Sequence, residues 1–157
     1  MIGNVQDFIT YAGARGVIIN PAQAPIFLVK ATDLLNTMCW VGKPADTAQE
    51  DCWPRVDNSG NAIVDEKASP VATDSSIPAK IQISAFRLAM EVSGGVDLMP
   101  TIAGKQTVKE SVSGAVAVEY DVNSIGAKPD FPWLDSLVGD YVLCDLGDSI
   151  NFKVGRG

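Results

Sequence analysis

The chain has 157 residues, 46% of them hydrophobic, and a formal net charge of −7 at pH 7. This length favours one domain with its own core, and no apolar run approaches the roughly 18 residues that a membrane span needs. The sequence has no histidine, which excludes Ser-His, Cys-His and His-ligated metal chemistry. Serine–lysine and paired-carboxylate catalysis stay open as alternatives, although no spacing in the chain argues for either. We predict a protein that is not an enzyme and has no cofactor or metal, with an acidic surface that repels nucleic-acid phosphates.

Two amphipathic helices are predicted in the first 40 residues. Residues 4–14 share one apolar face, and Asn4 is the expected N-cap. A second helix of about 15 residues follows. Its start has two alternatives: Asn20 as N-cap with Pro21 at the first helical position, or Ala24 as N-cap. The apolar stripe predicted for this helix contains Phe27, Ala31, Leu34, Leu35 and Met38.

Two tryptophans are expected to close the far end of this second helix. Trp40 ends the apolar stripe, and Trp53 returns after a polar loop, held extended by Pro54. Arg55 follows, and we expect it to cap the carboxyl end of a helix or to pair with an acid such as Asp33. The alternative is that these residues form an aromatic clamp for a ligand.

Three cysteines lie far apart in the sequence. Cys39 and Cys52 each precede a tryptophan, so a disulfide between them is one alternative. The odd number of cysteines and their spacing favour the other alternative, in which the thiols are buried and reduced.

Residues 44–76 are predicted to form a long, acidic loop. The segment 57–61 resembles the beginning of a calcium-binding loop. However, Ala62 and Ala68 stand where such a loop needs glycine and glutamate. We therefore predict a reverse turn at this segment and no metal site.

A third helix is predicted to begin at Ile77-Pro78 and to end at Gly94-Gly95. A β-hairpin follows at about residues 107–122, because apolar residues there alternate with polar ones. A three-residue loop would pair Val112 with Val116 and Val108 with Tyr120, which keeps the valines on one face. The apolar stripe of the third helix, which we expect to pack on the second helix, contains Ile77, Ile81, Ala85, Leu88 and Val92.

The end of the chain combines a short helix with an extended arm. Leu134, Leu137, Val138 and Tyr141 lie on one side of the predicted helix. The fold class expected overall is mainly α: a small helical bundle at residues 1–142, with a long loop, an inserted β-hairpin and an extended C-terminal arm at residues 143–157. In the arm, apolar residues alternate with polar ones, and basic residues lie near its end. The arm residues of interest are Ile150, Phe152, Lys153, Val154 and Arg156.

The order of these features resembles the head–tail connector, or adaptor, proteins of tailed phages, many of which are labelled DnaT-like single-stranded DNA-binding proteins. The resemblance covers residues 3–142. The matching motifs are Tyr11 and Arg15 in the first helix, Ala31-Thr32-Asp33, Trp40, Trp53-Pro54-Arg55, Ile77-Pro78, the hairpin at 109–120 and the helix at 134–142.

This resemblance implies a structural virion protein that is made in the host cytoplasm. It implies a helical bundle that assembles as a ring, commonly of about twelve copies. The ring would dock onto the portal protein and join it to a tail component, a nozzle or tail tube, while DNA passes through only as cargo. The C-terminal arm would contact the portal.

The label carried by many of these proteins implies a different function, in which the chain is a replication accessory that binds single-stranded DNA. Such binding normally uses a basic groove with aromatic side chains on which bases stack. Here Trp40, Trp53 and Trp133 lie among carboxylates in the sequence. The connector is therefore the function expected from the sequence, and single-strand binding is the alternative.

Overall fold

The computed structural model of the protein describes residues 1–100 and 130–143, together with the backbone of residues 107–112 and 116–120. In these residues the fold is mainly α and contains one small hairpin, as predicted. The helices are α1 (Val5–Gly13), α2 (Ala24–Asn36), α3 (Ala79–Ser93) and α4 (Pro132–Val138), followed by a 3₁₀ turn at Gly139–Tyr141. The antiparallel strand pairs are β1 (Lys43–Pro44) with β2 (Arg55–Val56), and β3 (Thr107–Val112) with β4 (Val116–Tyr120).

The chain divides into two compact units. The helices belong to one unit, made of residues 1–96 and the residues from Phe131 onward, and the β3–β4 hairpin belongs to a second unit, Asp97–Asp130. The arm residues 144–157, including Ile150, Phe152, Lys153, Val154 and Arg156, lie outside the described residues. The predicted division into a domain at 1–142 and an arm at 143–157 therefore stays a prediction. Within the described residues, no helix combines the length and the apolar content needed to cross a bilayer.

Helix α1 begins where the sequence predicts. The side chain of Asn4 accepts hydrogen bonds from the backbone N–H groups of Gln6, at 2.7 Å, and Asp7, at 3.4 Å, so it satisfies two donors of the first turn. The ring of Phe8 lies 6.1 Å from that of Phe86 on α3. Gly3 has φ +87°, and a Cβ there would lie 2.6 Å from the Phe86 ring. Only glycine fits where the N-terminal segment crosses α3.

Helix α2 is shorter than predicted. It begins at Ala24, one residue from the second of the two predicted starts, and it ends at Asn36, before Trp40. Asn20 does not cap the helix itself. Its side chain accepts from the N–H of Ala22 at 3.0 Å and stabilises a separate turn that contains Pro21.

The predicted buried stripe of α2 is wrong in part. Phe27, Leu34 and Met38 are only partly buried, whereas Leu28 and Leu35 are completely buried. The helix is apolar on more than one side, so two stripes fit the sequence equally well and periodicity alone cannot choose between them. The buried residues of α2 are Ala24, Leu28, Ala31, Thr32 and Leu35.

Helix α3 has the predicted core stripe. Ile77, Ile81, Ala85, Leu88 and Val92 are all buried. Helices α2 and α3 pack against each other in the core. The same helix also buries the polar residues Gln82 and Ser84. The Gln82 amide donates to the carbonyls of Asp74, at 2.7 Å, and Ile77, at 2.8 Å, which holds the preceding loop against the helix.

The β3–β4 register agrees with the prediction at one end only. Val112 pairs with Val116 as expected, but Tyr120 pairs with Thr107 and not with Val108. The pairing shifts between Thr107 and Lys109, because an extra residue in one strand forms an irregularity of the β-bulge type.

Candidate functional site

The first candidate site is the segment that follows α2 and contains the predicted tryptophan motif. The indole N–H of Trp40 donates to the carbonyl of Leu35 in the last turn of α2, at 2.8 Å. The same carbonyl also accepts from the backbone N–H of Met38 at 3.1 Å, so the indole adds a further hydrogen bond at the carboxyl end of α2. The Trp40 side chain is 5% exposed, so it serves as a cap and as part of the core.

Trp53 is the centre of an aromatic cluster. Its ring lies 5.6 Å from that of Trp40 and 5.9 Å from that of Tyr141, in edge-to-face arrangements of 77° and 85°. These are the geometries that aromatic quadrupoles favour. Trp53 is 2% exposed, so both tryptophan rings are covered and cannot clamp a ligand. The predicted hydrophobic closure is confirmed, and the alternative of an aromatic clamp is wrong.

Arg55 holds the backbone around this cluster. Its guanidinium donates to the carbonyls of Val41 (2.7 Å), Gly42 (2.8 Å) and Cys52 (3.1 Å). Burial lowers the pKa of Arg55 from its ordinary value. The expected pairing with Asp33 is wrong. Asp33 is exposed on α2, and the Arg55 guanidinium donates its hydrogen bonds to backbone carbonyls.

Pro54 belongs to the same framework. The Trp53–Pro54 peptide bond is cis. The carbonyl of Pro54 accepts from the N–H of Ala45 at 3.1 Å and from the Gln49 amide at 3.0 Å. The five residues predicted as a structural motif are thus separated by the structure: Trp40, Trp53, Pro54 and Arg55 come together, and Asp33 does not.

The end of the described chain is tied to this segment through its backbone. Trp40 forms an antiparallel bridge with Val142. The N–H of Val41 donates to Tyr141 at 2.9 Å, and the N–H of Leu143 donates to Cys39 at 2.7 Å. The 3₁₀ turn after α4 is therefore fixed beside the tryptophans.

The two cysteines of this segment do not pair with each other. Cys39 is disulfide-bonded, which contradicts the prediction of a reduced thiol, whereas Cys52 carries a free thiol. Burial raises the pKa of the Cys52 thiol to about 12, since a thiolate there would lose its hydration. Cys52 is thus a poor nucleophile at neutral pH.

The acidic segment after β2 is a reverse turn, as predicted. One oxygen of Asp57 accepts from the N–H groups of Ser59 and Asn61, both at 2.8 Å. The Asn61 side-chain amide donates to the other Asp57 oxygen at 3.1 Å. This bond first, and then the backbone bonds, lower the pKa of Asp57. Asp57 is thus occupied by its own turn. In the described part of the chain, no group of three or more acidic or cysteine side chains is placed to hold a metal ion.

A second candidate site lies where α3 meets α4, and sequence reasoning missed it. The guanidinium carbon of Arg87 lies 4.4 Å from the centre of the Trp133 ring, and the Phe131 ring lies 5.7 Å from that of Trp133. All three side chains are only partly buried. The sequence signal that could have found it is the pair of aromatics on either side of Pro132.

Two other cations on the described surface have partners of a different kind. Arg15 stacks on the Tyr11 ring at 3.4 Å and also donates to the Tyr11 carbonyl at 3.1 Å. Lys80 forms an ion pair with Asp140 at 2.9 Å, which raises the pKa of Lys80. Arg87 differs from both, because neither an ion pair nor a hydrogen bond engages its guanidinium within the described residues.

Comparison with known proteins identifies the class of this chain. A family model described as "Putative DnaT-like ssDNA binding protein" matches residues 3–157. The chain belongs to this family. The match agrees with the label attached to the resemblance seen in the sequence, and it does not extend to the connector function. No curated protein and no solved structure matches the chain.

Proposed function

We propose that the protein binds single-stranded DNA. The observation that carries the proposal is the family match, which spans residues 3–157. The family description names this ligand, whereas the connector function expected from the sequence has no such support. Under this proposal the protein is a binding protein and not an enzyme.

The charge of the chain restricts how such binding could occur. A net charge of −7 opposes the phosphate contacts that dominate most protein–DNA affinity. The tryptophans 40 and 53 are buried and cannot receive bases. Binding would therefore depend on stacking of bases on partly exposed side chains, and we expect it to be weak, in the micromolar range, rather than nanomolar.

The experiment that tests this proposal is fluorescence anisotropy with a labelled 30-nucleotide oligo(dT). The matched control is the same sequence annealed to oligo(dA), because a duplex hides the base faces. Binding of the single strand with at least about tenfold preference over the duplex supports the proposal. Absence of binding up to about 100 μM protein at 50 mM salt contradicts it.

A second candidate function is the head–tail connector of a tailed phage, and an exposed apolar surface favours it. Ile26 and Val29, which are three residues apart and lie on one side of α2, are 54% and 46% exposed. Exposed apolar side chains that lie close together are typical of surfaces that bind another protein. Under this candidate, copies of the chain form a ring of about twelve, located in the virion between the portal and a tail nozzle or tube.

The second candidate has its own test. Removal of residues 148–157 deletes the predicted portal-binding arm. We expect the truncated chain to keep its helical circular dichroism and thermal midpoint, and to lose co-sedimentation with purified portal rings. If the full-length chain neither forms rings nor co-sediments with portal, the connector function is wrong. A chain that does both and binds no oligonucleotide would replace the first proposal with the second.

A further inference from the structure

We infer that Arg87, Phe131 and Trp133 form a stacking site for unpaired bases of a single strand. This inference rests on the proposed single-strand binding and adds its location and its mode. We call these three residues the α3–α4 platform. It is built from one side chain of α3 and two at the start of α4.

The geometry of the platform suits a flat ligand. The Arg87 guanidinium covers one face of Trp133 at 4.4 Å. Phe131 lies beside the same indole at 5.7 Å, tilted by 54°. A guanidinium is planar, and bases stack on arginine planes as well as on aromatic rings. All three side chains keep part of their surface in solvent, so a base can reach them.

The unused donors of Arg87 point to a ligand. A guanidinium has five N–H donors, and those of Arg87 meet neither a carboxylate nor a carbonyl within the described residues. Arg15 and Arg55 also have no carboxylate partner among the described residues, but both donate to backbone carbonyls, which Arg87 does not. The stack on Trp133 fixes the side chain without using its donors, which stay available to a phosphate oxygen or to a base edge.

Nearby acids determine how a strand would lie. Glu91 is one helical turn after Arg87, and Asp135 is two residues after Trp133. Both carboxylates repel a phosphate backbone. The bases therefore face the platform, and the backbone runs away from the protein with about one phosphate close to Arg87. This arrangement fits a stacking ligand such as oligo(dT) and does not fit a duplex, whose base faces are already stacked.

The chain contains a matched control for this platform. Arg15 also stacks on an aromatic ring, that of Tyr11, at 3.4 Å. Tyr11 is only 2% exposed, however, and Arg15 already donates to its carbonyl. Substitution of Arg15 by lysine removes an arginine–aromatic stack and keeps the charge, without touching the proposed site.

The test compares Trp133→Leu, Trp133→Phe, Arg87→Lys and Arg15→Lys with the unchanged protein, using anisotropy with 30-nucleotide oligo(dT). We expect Trp133→Leu to weaken binding about tenfold or more, because one stacked base contributes that much. Trp133→Phe should restore most of the affinity. Arg87→Lys should weaken binding several-fold, since lysine keeps the charge but not the plane, and Arg15→Lys should leave it within about twofold. Circular dichroism of each variant reports folding.

A second measurement tests the α3–α4 platform even if Trp133→Leu does not fold. Trp40 and Trp53 are buried, so quenching of tryptophan fluorescence by oligo(dT) reports mainly Trp133. We expect quenching in the unchanged protein and in Arg15→Lys, and none in Trp133→Phe. If the unchanged protein binds oligo(dT) and the Trp133 and Arg87 variants bind it equally well, the platform is only a structural contact and the inference is wrong, while single-strand binding stands. If the unchanged protein does not bind, both are wrong.

Discussion

At the scale of single residues, Trp53 is the more deeply buried of the two tryptophans in the segment that follows α2. It is 2% exposed and contacts two other aromatic rings. We expect Trp53→Ala to lower the free energy of unfolding by about 3–5 kcal/mol, because a large cavity replaces the indole. Urea denaturation followed by circular dichroism measures this. The control is Trp133→Ala, whose ring is partly exposed and should cost less than half as much. Equal effects of the two would mean that the cluster is not part of the core.

Cys52 gives a second prediction at this scale, and the sign follows from its pKa. Burial raises the pKa of the thiol from 9.0 to about 12 in the folded protein. The neutral thiol is therefore favoured by folding, and its contribution to stability is complete below pH 9 and is lost as the pH rises towards 12. We expect the urea midpoint of Cys52→Ala to fall less between pH 9 and pH 11 than that of the unchanged protein. Parallel falls would show that Cys52 does not cause the alkaline loss.

At the scale of elements, the core face of α2 can be tested with two leucines of the same helix. Leu28 is completely buried, whereas Leu34 is partly exposed. We expect Leu28→Ala to cost about 2–5 kcal/mol of unfolding free energy and Leu34→Ala roughly 1 kcal/mol, because less apolar surface is lost. Thermal and urea unfolding of the pair measure the difference. A larger cost for Leu34→Ala than for Leu28→Ala would support the buried stripe that periodicity predicted and would contradict the packing described above.

The turn between Trp40 and β1 gives another element-scale prediction. Gly42 has φ +68°, and a Cβ there would lie 2.3 Å from the carbonyl oxygen of Val56. Gly16 has a similar φ of +76°, with open space around it. We expect Gly16→Ala to cost about 1–2 kcal/mol from the backbone alone, and Gly42→Ala to cost roughly 1–3 kcal/mol more because a second element must move. Urea unfolding compares them, and equal costs would show that β2 moves away freely.

These elements show which parts of the fold a sequence can predict. Helix α3 was predicted because one clean stripe lies between Ile77-Pro78 and Gly94-Gly95, so pattern and end signals agree. The buried side of α2 was not predicted correctly, because two apolar stripes overlap in its sequence and tertiary packing decides which of them is buried. The hairpin register failed at Val108, because a bulge adds one residue without any signal in the alternation.

The two candidate sites also differ in how much of each can be predicted from the sequence. The tryptophan segment was recognised because its aromatics are close in sequence and flank a polar loop. The partners of Arg55 were not recognised, because they are backbone carbonyls, which every residue carries. The α3–α4 platform was missed because Arg87 is distant in sequence from Trp133, and only the packing of the two helices brings them together.

At the scale of the whole molecule, the net charge of the chain distinguishes two ways of binding a single strand, through its phosphates or by stacking of its bases. A protein that binds through phosphates releases counterions, and the logarithm of its affinity falls with the logarithm of salt concentration with a slope of about −0.7 per contact. This chain has a net charge of −7, and the Arg87 guanidinium of the α3–α4 platform pairs with no carboxylate among the described residues. Its binding should therefore depend on salt only weakly.

We expect the slope for oligo(dT) to be about −0.7 between 50 and 300 mM salt, as one phosphate contact predicts. Anisotropy titrations at four or five salt concentrations measure it, and the Arg87→Lys variant should keep the slope because the charge remains, even though its affinity is lower. The control is Lys30→Gln on the exposed side of α2, which should change neither slope nor affinity. A slope of about −3 or steeper would mean that several cations engage phosphates. In that case the strand follows a basic path elsewhere on the chain, and stacking at Trp133 is not what holds it.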